Sequence, residues 1–75
     1  MTWDREQVTL ELCTARDAFC SRKTTRRQYD ALQKVLGLAL FNAPDDMRYI
    51  VEAHIQEAMR RREYFEAAVW PEETL

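Results

Sequence analysis

The side chains that could do chemistry are one histidine, His54, and two cysteines, Cys13 and Cys20. A zinc site would need all of them to converge with a carboxylate, but the chain has no Cys-x-x-Cys motif and no second histidine. A cysteine–histidine nucleophilic pair would also need an oxyanion hole and a substrate cleft, which no residue pattern indicates. We therefore expect a protein that is not an enzyme and has no catalytic residue, metal or cofactor. His54 is expected to be half-buried on a helix and to hold one hydrogen bond.

The two cysteines also bear on the compartment. They are seven residues apart, so on one helix they would lie on the same side, about 10.5 Å apart along the axis, which is too far for a disulfide. Two free thiols are typical of a reducing compartment. The N-terminus lacks the apolar stretch of a signal peptide, and the most apolar run, 35–41, is too short to span a bilayer. We expect a cytoplasmic protein with no membrane partner.

The clearest charge pattern is a basic cluster around the start of the second predicted helix, formed by Arg22, Lys23, Arg26 and Arg27. Positive charge is unfavourable at a helix N-terminus, which suggests a contact with phosphates or with an acidic partner. With the short turn before it, the cluster would suit a helix-turn-helix-like nucleic-acid-binding regulator. The alternative is a solvated cluster paired with Glu72, Glu73 or carboxylates of the third helix. The net charge of −2 does not favour nucleic acid.

Helices must position these residues, because the chain is 47% hydrophobic and 32% charged but has only one Gly and two Pro. Its 75 residues are enough for one domain. The periodicity predicts an all-α domain over 1–75, with helices over about 4–21, 26–41 and 44–70 and an acidic tail over 71–75. The architecture would be a small three-helix bundle, or a helical hairpin with a long C-terminal helix, completed as a dimer.

Residue types at the predicted ends support these boundaries. Asp4 can cap the first helix, and Thr25 with Gln28 can form a capping box on the second. Gly37 could either continue the second helix or end it in a left-handed cap, and we slightly favour continuation. Pro44 suits the first turn of the third helix. A backbone N–H at that position would have no partner within the helix, so its absence costs no hydrogen bond.

Apolar residues are more numerous than one small core should hold. Helix 2 is apolar over half or more of its circumference, which predicts neighbours on two sides. Helix 1 carries Leu10, Cys13 and Cys20 away from its main apolar stripe. We predict a partner-binding surface on helix 3 formed by Tyr49, Met59, Arg60, Tyr64 and Trp70. We predict a dimer core on helix 2 formed by Leu32, Leu36, Leu38, Leu40 and Phe41. The alternative is that a bent or tilted helix 3 buries two of its surplus aromatic residues in the chain's own core.

These patterns predict a small non-catalytic protein–protein interaction module acting as a homodimer. It would be an adaptor, inhibitor or regulator of a larger protein whose identity the residues do not indicate. Small helical chains of this kind are typical products of bacterial or phage genes. The alternative function is the nucleic-acid-binding regulator that uses the basic cluster.

Overall fold

The computed structural model describes residues 2–71, and its regular structure over that range is entirely helical. The helices are α1 (Arg5–Cys20), α2 (Arg26–Asn42) and α3 (Arg48–Ala68), with a 3₁₀ turn (Asp45–Met47) before α3. Each of the three helices packs against the other two, so the chain forms a three-helix bundle. The all-α prediction is confirmed. All of the predicted acidic tail after Pro71 lies outside the described residues.

The starts of the first two helices follow from their capping residues. The Asp4 side chain accepts a hydrogen bond from the Gln7 amide at 2.7 Å. Thr25 and Gln28 form the predicted capping box, in which each side chain accepts a hydrogen bond from the backbone N–H of the other. These bonds satisfy amide groups that the first turn of a helix leaves without partners.

The structure decides two helix boundaries that the sequence left open or misplaced, one at Gly37 and one at Pro44. Gly37 lies inside α2 without a positive φ, so the helix continues through it as we favoured. Pro44 differs from the prediction, because its ψ of 149° keeps it outside the helix. The Met47 amide donates to the Pro44 carbonyl oxygen at 2.9 Å and closes the 3₁₀ turn. As a result α3 begins at Arg48.

One continuous core runs along the bundle axis between the three helices. Its α1 members are Val8, Leu12, Ala15 and Phe19, and its α2 members are Tyr29, Leu32, Leu36 and Ala39. The remaining core residues are Ala43, Met47, Val51, Ala58, Phe65 and Trp70. Leu32 and Leu36 were predicted to lie in a core shared by two chains, but they are 8% and 1% exposed within one chain. That prediction is wrong for these two residues, because α1 and α3 of the same chain supply the neighbours that α2 needs.

Aromatic rings fill the end of the core near the α1–α2 turn. The ring centroid of Tyr29 lies 5.1 Å from that of Phe65, 5.3 Å from that of Trp70 and 6.2 Å from that of Phe19. The Phe65 and Trp70 rings meet edge to face at 5.1 Å. Aromatic pairs at such distances stabilise the fold by more than the burial of their apolar area alone.

Trp70 closes this end of the bundle, although we predicted it to lie on a partner-binding surface. Its side chain is 2% exposed. The amides of Val69 and Trp70 both donate to the Phe65 carbonyl oxygen, at 2.8 and 2.7 Å, and this turn folds the chain back after α3. The indole Nε1 then donates to the Thr24 carbonyl oxygen at 2.7 Å. The expected exposure is wrong because Trp70 follows the helix and no longer obeys helical periodicity. The alternative named a bent or tilted helix 3 that buries two surplus residues, whereas the chain's own core takes up only Trp70 of the predicted set, through the turn after α3.

A polar network joins α2 to α3 at the edge of the core. Arg62 donates to Asp30 at 2.6 Å, to Gln33, and to Glu66 at 3.3 Å. Glu66 also accepts a hydrogen bond from Arg26 at 2.9 Å. These side chains are partly exposed, so each pair is expected to add little to the stability of the fold.

The described part of the chain is rod-shaped, with principal extents of 41 × 18 × 15 Å. Exposed residues occur along the full length of α1, α2 and α3. Every helix therefore keeps an outer face in solvent. Within residues 2–71, no helix has the length and apolar character needed to cross a bilayer.

Candidate interaction surface

Two members of the basic cluster hold the turn against α3. Arg26 pairs with Glu66, and its guanidinium carbon lies 5.3 Å from the centroid of the Trp70 ring. Arg22 donates a hydrogen bond to the Tyr64 hydroxyl. Pairing with a helix 3 carboxylate, which we named as the structural alternative for this cluster, therefore occurs at Arg26. Its other predicted partners, Glu72 and Glu73, lie outside the described residues.

The other two members, Lys23 and Arg27, are exposed. Neither side chain forms an ion pair within the described part of the chain. Half of the basic cluster is therefore free to contact another molecule, while the other half has a structural role.

The residues that we predicted as a partner-binding surface on α3 do not form one surface. Tyr49, Met59 and Tyr64 are 70%, 57% and 45% exposed, and Arg60 is exposed as well. Met59 borders a shallow groove between α2 and α3, whereas Tyr64 borders a depression between α1 and α3. Tyr49 precedes Tyr64 by fifteen residues, which is about 22 Å along the helix. With Trp70 buried, the predicted set is dispersed over the bundle.

The residues considered for chemistry are also apart. The Nδ1 atom of the half-buried His54 lies 2.9 Å from the Ile50 carbonyl oxygen, which is the single local hydrogen bond we expected. Cys13 and Cys20 are exposed free thiols on α1. Within the described range, no three His, Cys, Asp or Glu side chains come together as metal ligands.

An exposed stripe on α2 is the strongest surface feature. Its members follow spacings of four, three, four and three, and all are exposed: Arg27, Ala31, Lys34, Leu38 and Phe41. At about 100° per residue, this series lies opposite the buried series that ends at Ala39. Phe41 is 85% exposed and Leu38 is 55% exposed, and the cationic Lys34 lies about one turn before Leu38 on the same series. Both were predicted to be dimer-core residues. We call this series the α2 stripe.

A second exposed stripe runs along α1. It has the same alternation of spacings and consists of Glu6, Leu10, Cys13, Asp17 and Cys20, all of them exposed. It lies opposite the buried α1 series, and Leu10 is 61% exposed. Its charges are acidic, whereas those of the α2 stripe are basic. We call this series the α1 stripe.

The sequence predicts single members of both stripes as surplus apolar residues, but not the two continuous surfaces that they form. Leu10, Cys13 and Cys20 were placed away from the main stripe of helix 1, and Leu38 and Phe41 were grouped with residues that the structure buries. The spacing that indicates both surfaces is nevertheless present in the sequence. Two interleaved series with heptad-like spacing on one helix predict two contact faces, of which the bundle can occupy only one.

The remaining electrostatic features belong to local pairs. A hydrogen bond from Arg61 Nε to Glu57 Oε1 at 2.8 Å lowers the pKa of the Glu57 carboxyl, and the nearby Arg60 adds to this effect. A hydrogen bond from Arg5 lowers the pKa of the Asp46 carboxyl in the same way. Burial raises the pKa of the Tyr29 hydroxyl. None of these groups lies in either stripe.

Comparison of the chain with protein-family models, with curated proteins and with solved structures found no match in any of the three.

Proposed function

We propose that this chain is a small non-catalytic protein–protein interaction module whose contact surface is the α2 stripe. The observation that carries the proposal is the exposure of Leu38 and Phe41, at 55% and 85%, on one face of a helix whose other face is completely buried. The buried centre of a protein interface is apolar and enriched in aromatic residues, which fits Phe41 with Leu38 one turn away. The chain would act as an adaptor, inhibitor or regulator of a larger protein, and its source would be a bacterium or a phage.

Self-association is the simplest use of this surface, with a homodimer as its first product. Removing Phe41 and Leu38 from water would gain roughly 1.5–3 kcal/mol for each side chain that is completely buried. This gain must exceed the cost of association, so a contact based on two such residues is expected to be weak. Leu40, which we had placed in a dimer core, is half-buried against the chain's own core and contributes less.

A photocrosslinking side chain at position 41 tests the proposal. Phe41 is replaced by p-benzoylphenylalanine, which keeps the ring and forms covalent bonds with nearby C–H groups under ultraviolet light. The same replacement of the exposed Glu63 on α3 is the control. We expect position 41 to give discrete products in cells that express the chain, either at twice its mass or at the summed mass of the chain and a larger partner. Products no stronger than those from position 63 would contradict the proposal.

The nucleic-acid alternative stays a prediction with weaker support. Within residues 2–71, Arg26 of the basic cluster is paired with Glu66 and Arg22 is hydrogen-bonded to the Tyr64 hydroxyl. The exposed face of α2 that would enter a groove also carries Leu38 and Phe41. Phosphate contacts would make duplex binding fall steeply with salt concentration. No shift with any duplex at low salt would exclude this function.

A further inference from the structure

The α1 and α2 stripes are complementary to each other in spacing and in charge. Four successive members of the α1 stripe are separated by three, four and three residues, at positions 10, 13, 17 and 20. Read in the opposite direction, four members of the α2 stripe have the same separations, at positions 41, 38, 34 and 31. Matching separations let two antiparallel helices place side chains in register over about three turns.

In this antiparallel register, apolar residues face apolar residues and an acidic residue faces a basic one. Its apolar layers are Leu10 against Phe41, Cys13 against Leu38 and Cys20 against Ala31. Its one charged layer sets Asp17 against Lys34, which is an attractive pair. The two stripes belong to different faces of one bundle, so they can meet only between two molecules.

We propose that the α1 stripe of one copy packs antiparallel against the α2 stripe of a second copy. The proposal rests on the function proposed above, because it takes the α2 stripe as the contact surface and names its occupant. The contact is heterologous, since each copy contributes a different face. A dimer formed in this way keeps one free stripe of each kind, so further copies can add, either closing a ring or extending a filament.

A symmetric contact between two α2 stripes fits less well. A parallel arrangement would set Arg27 and Lys34 against their own copies. An antiparallel arrangement centred on Lys34 would bring two ammonium groups together and place Arg27 against Phe41, and like charges in contact are unfavourable. A shorter overlap limited to Leu38 and Phe41 would leave both cations outside the contact and bury less surface.

Two blocking variants test this pairing in a way that separates it from the proposed function. Leu10→Lys blocks the α1 stripe, Phe41→Lys blocks the α2 stripe, and Tyr49→Lys replaces an aromatic residue that is 70% exposed outside both stripes. Helicity and thermal midpoint verify that each variant folds. The molar mass is measured by sedimentation equilibrium with reductant, from micromolar to millimolar concentration.

The proposal expects a specific pattern of masses. The wild-type chain and Tyr49→Lys grow beyond a dimer as concentration rises. Each blocked variant associates at least about thirty-fold more weakly, as expected for loss of an anchor residue. An equimolar mixture of the two blocked variants forms a one-to-one heterodimer and stops there, because it joins the one intact α2 stripe to the one intact α1 stripe.

Three results would overturn it, each with a different meaning. If Leu10→Lys associates as the wild-type chain does while Phe41→Lys does not, the contact is symmetric and only this inference fails. If the mixture of blocked variants stays monomeric, the two stripes do not pair. If the wild-type chain is monomeric at every concentration, self-association fails, and crosslinks from position 41 decide whether another protein uses the α2 stripe.

A charge exchange tests the register independently. Asp17→Lys and Lys34→Asp should each weaken association by about two- to fivefold, which is the range of an exposed ion pair. The double variant should recover wild-type association, because the pair is restored with its charges reversed. Failure of the double variant to recover would contradict the pairing of these two residues.

Discussion

The ring of Tyr29 packs among aromatic rings, and its hydroxyl group is buried with no hydrogen-bond partner within residues 2–71. An unpaired buried hydroxyl costs free energy because it has lost its bonds to water. We predict that Tyr29→Phe increases the free energy of unfolding by about 1 kcal/mol. Urea denaturation of the two proteins measures this difference. A less stable variant would mean that the hydroxyl has a partner, such as an ordered water molecule.

The pair of Glu57 and Arg61 makes the stability depend on pH. Its hydrogen bond lowers the pKa of the Glu57 carboxyl in the folded chain. The folded state therefore gains stability from this group above about pH 4.3, the ordinary pKa of glutamate, and loses it as the pH falls through the lower folded-state pKa. We predict that Glu57→Gln reduces the difference in thermal midpoint between neutral and acidic solution.

Glu63→Gln is the matched control for this measurement. Glu63 is an exposed glutamate on the same helix, and it forms no ion pair with a residue in the range 2–71. Its replacement should leave the acid-induced loss of stability unchanged. Equal effects of the two variants would show that the Glu57–Arg61 pair contributes nothing specific.

Within α2, Gly37 is the one residue that weakens the helix without contributing a contact. A Cβ atom at this position would meet nothing within 4 Å. Alanine in an exposed helix interior is favoured over glycine by roughly 1 kcal/mol. We predict that Gly37→Ala raises the stability by about that amount, measured by thermal or urea unfolding. A destabilised variant would mean that α2 bends or opens at this position.

The helix boundaries show which features of this chain can be predicted from neighbouring residues alone. The starts at Asp4 and Thr25 were predicted because their caps depend on residues only three positions apart. The end of α3 was not, because the turn after it depends on Trp70 reaching a carbonyl group of Thr24, 46 residues away in sequence. Periodicity gives no position for a side chain that follows the helix.

The interaction surface was predictable in part for a similar reason. Spacing alone marks Leu38 and Phe41 as apolar residues of α2, but it does not decide which apolar face packs inward. The structure decides this through α1 and α3, which bury Leu32 and Leu36 and leave the opposite series exposed. The α3 residues Tyr49, Met59 and Tyr64 are exposed as expected. Met59 borders a groove with α2 and Tyr64 a depression with α1, and the spacing on α3 does not indicate which neighbour each residue borders.

For the molecule as a whole, stability depends strongly on Trp70. A single core in a domain of this size supplies about 3–5 kcal/mol, and replacing a buried tryptophan with alanine costs about as much. We predict that Trp70→Ala is largely unfolded at room temperature, as measured by circular dichroism. Trp70→Phe should fold with reduced stability, because it keeps a ring but loses the bond to Thr24. A fully helical Trp70→Ala would show that the rest of the core is sufficient.

The position of Trp70 also affects how the chain folds during its synthesis. A ribosome releases residues in order from the N-terminus, and both α1 and α2 emerge before the ring that completes their common core. The partly emerged chain therefore exposes Tyr29 and Phe19 until residue 70 leaves the exit tunnel. Transiently exposed apolar surface of this kind makes a partly emerged chain prone to aggregation.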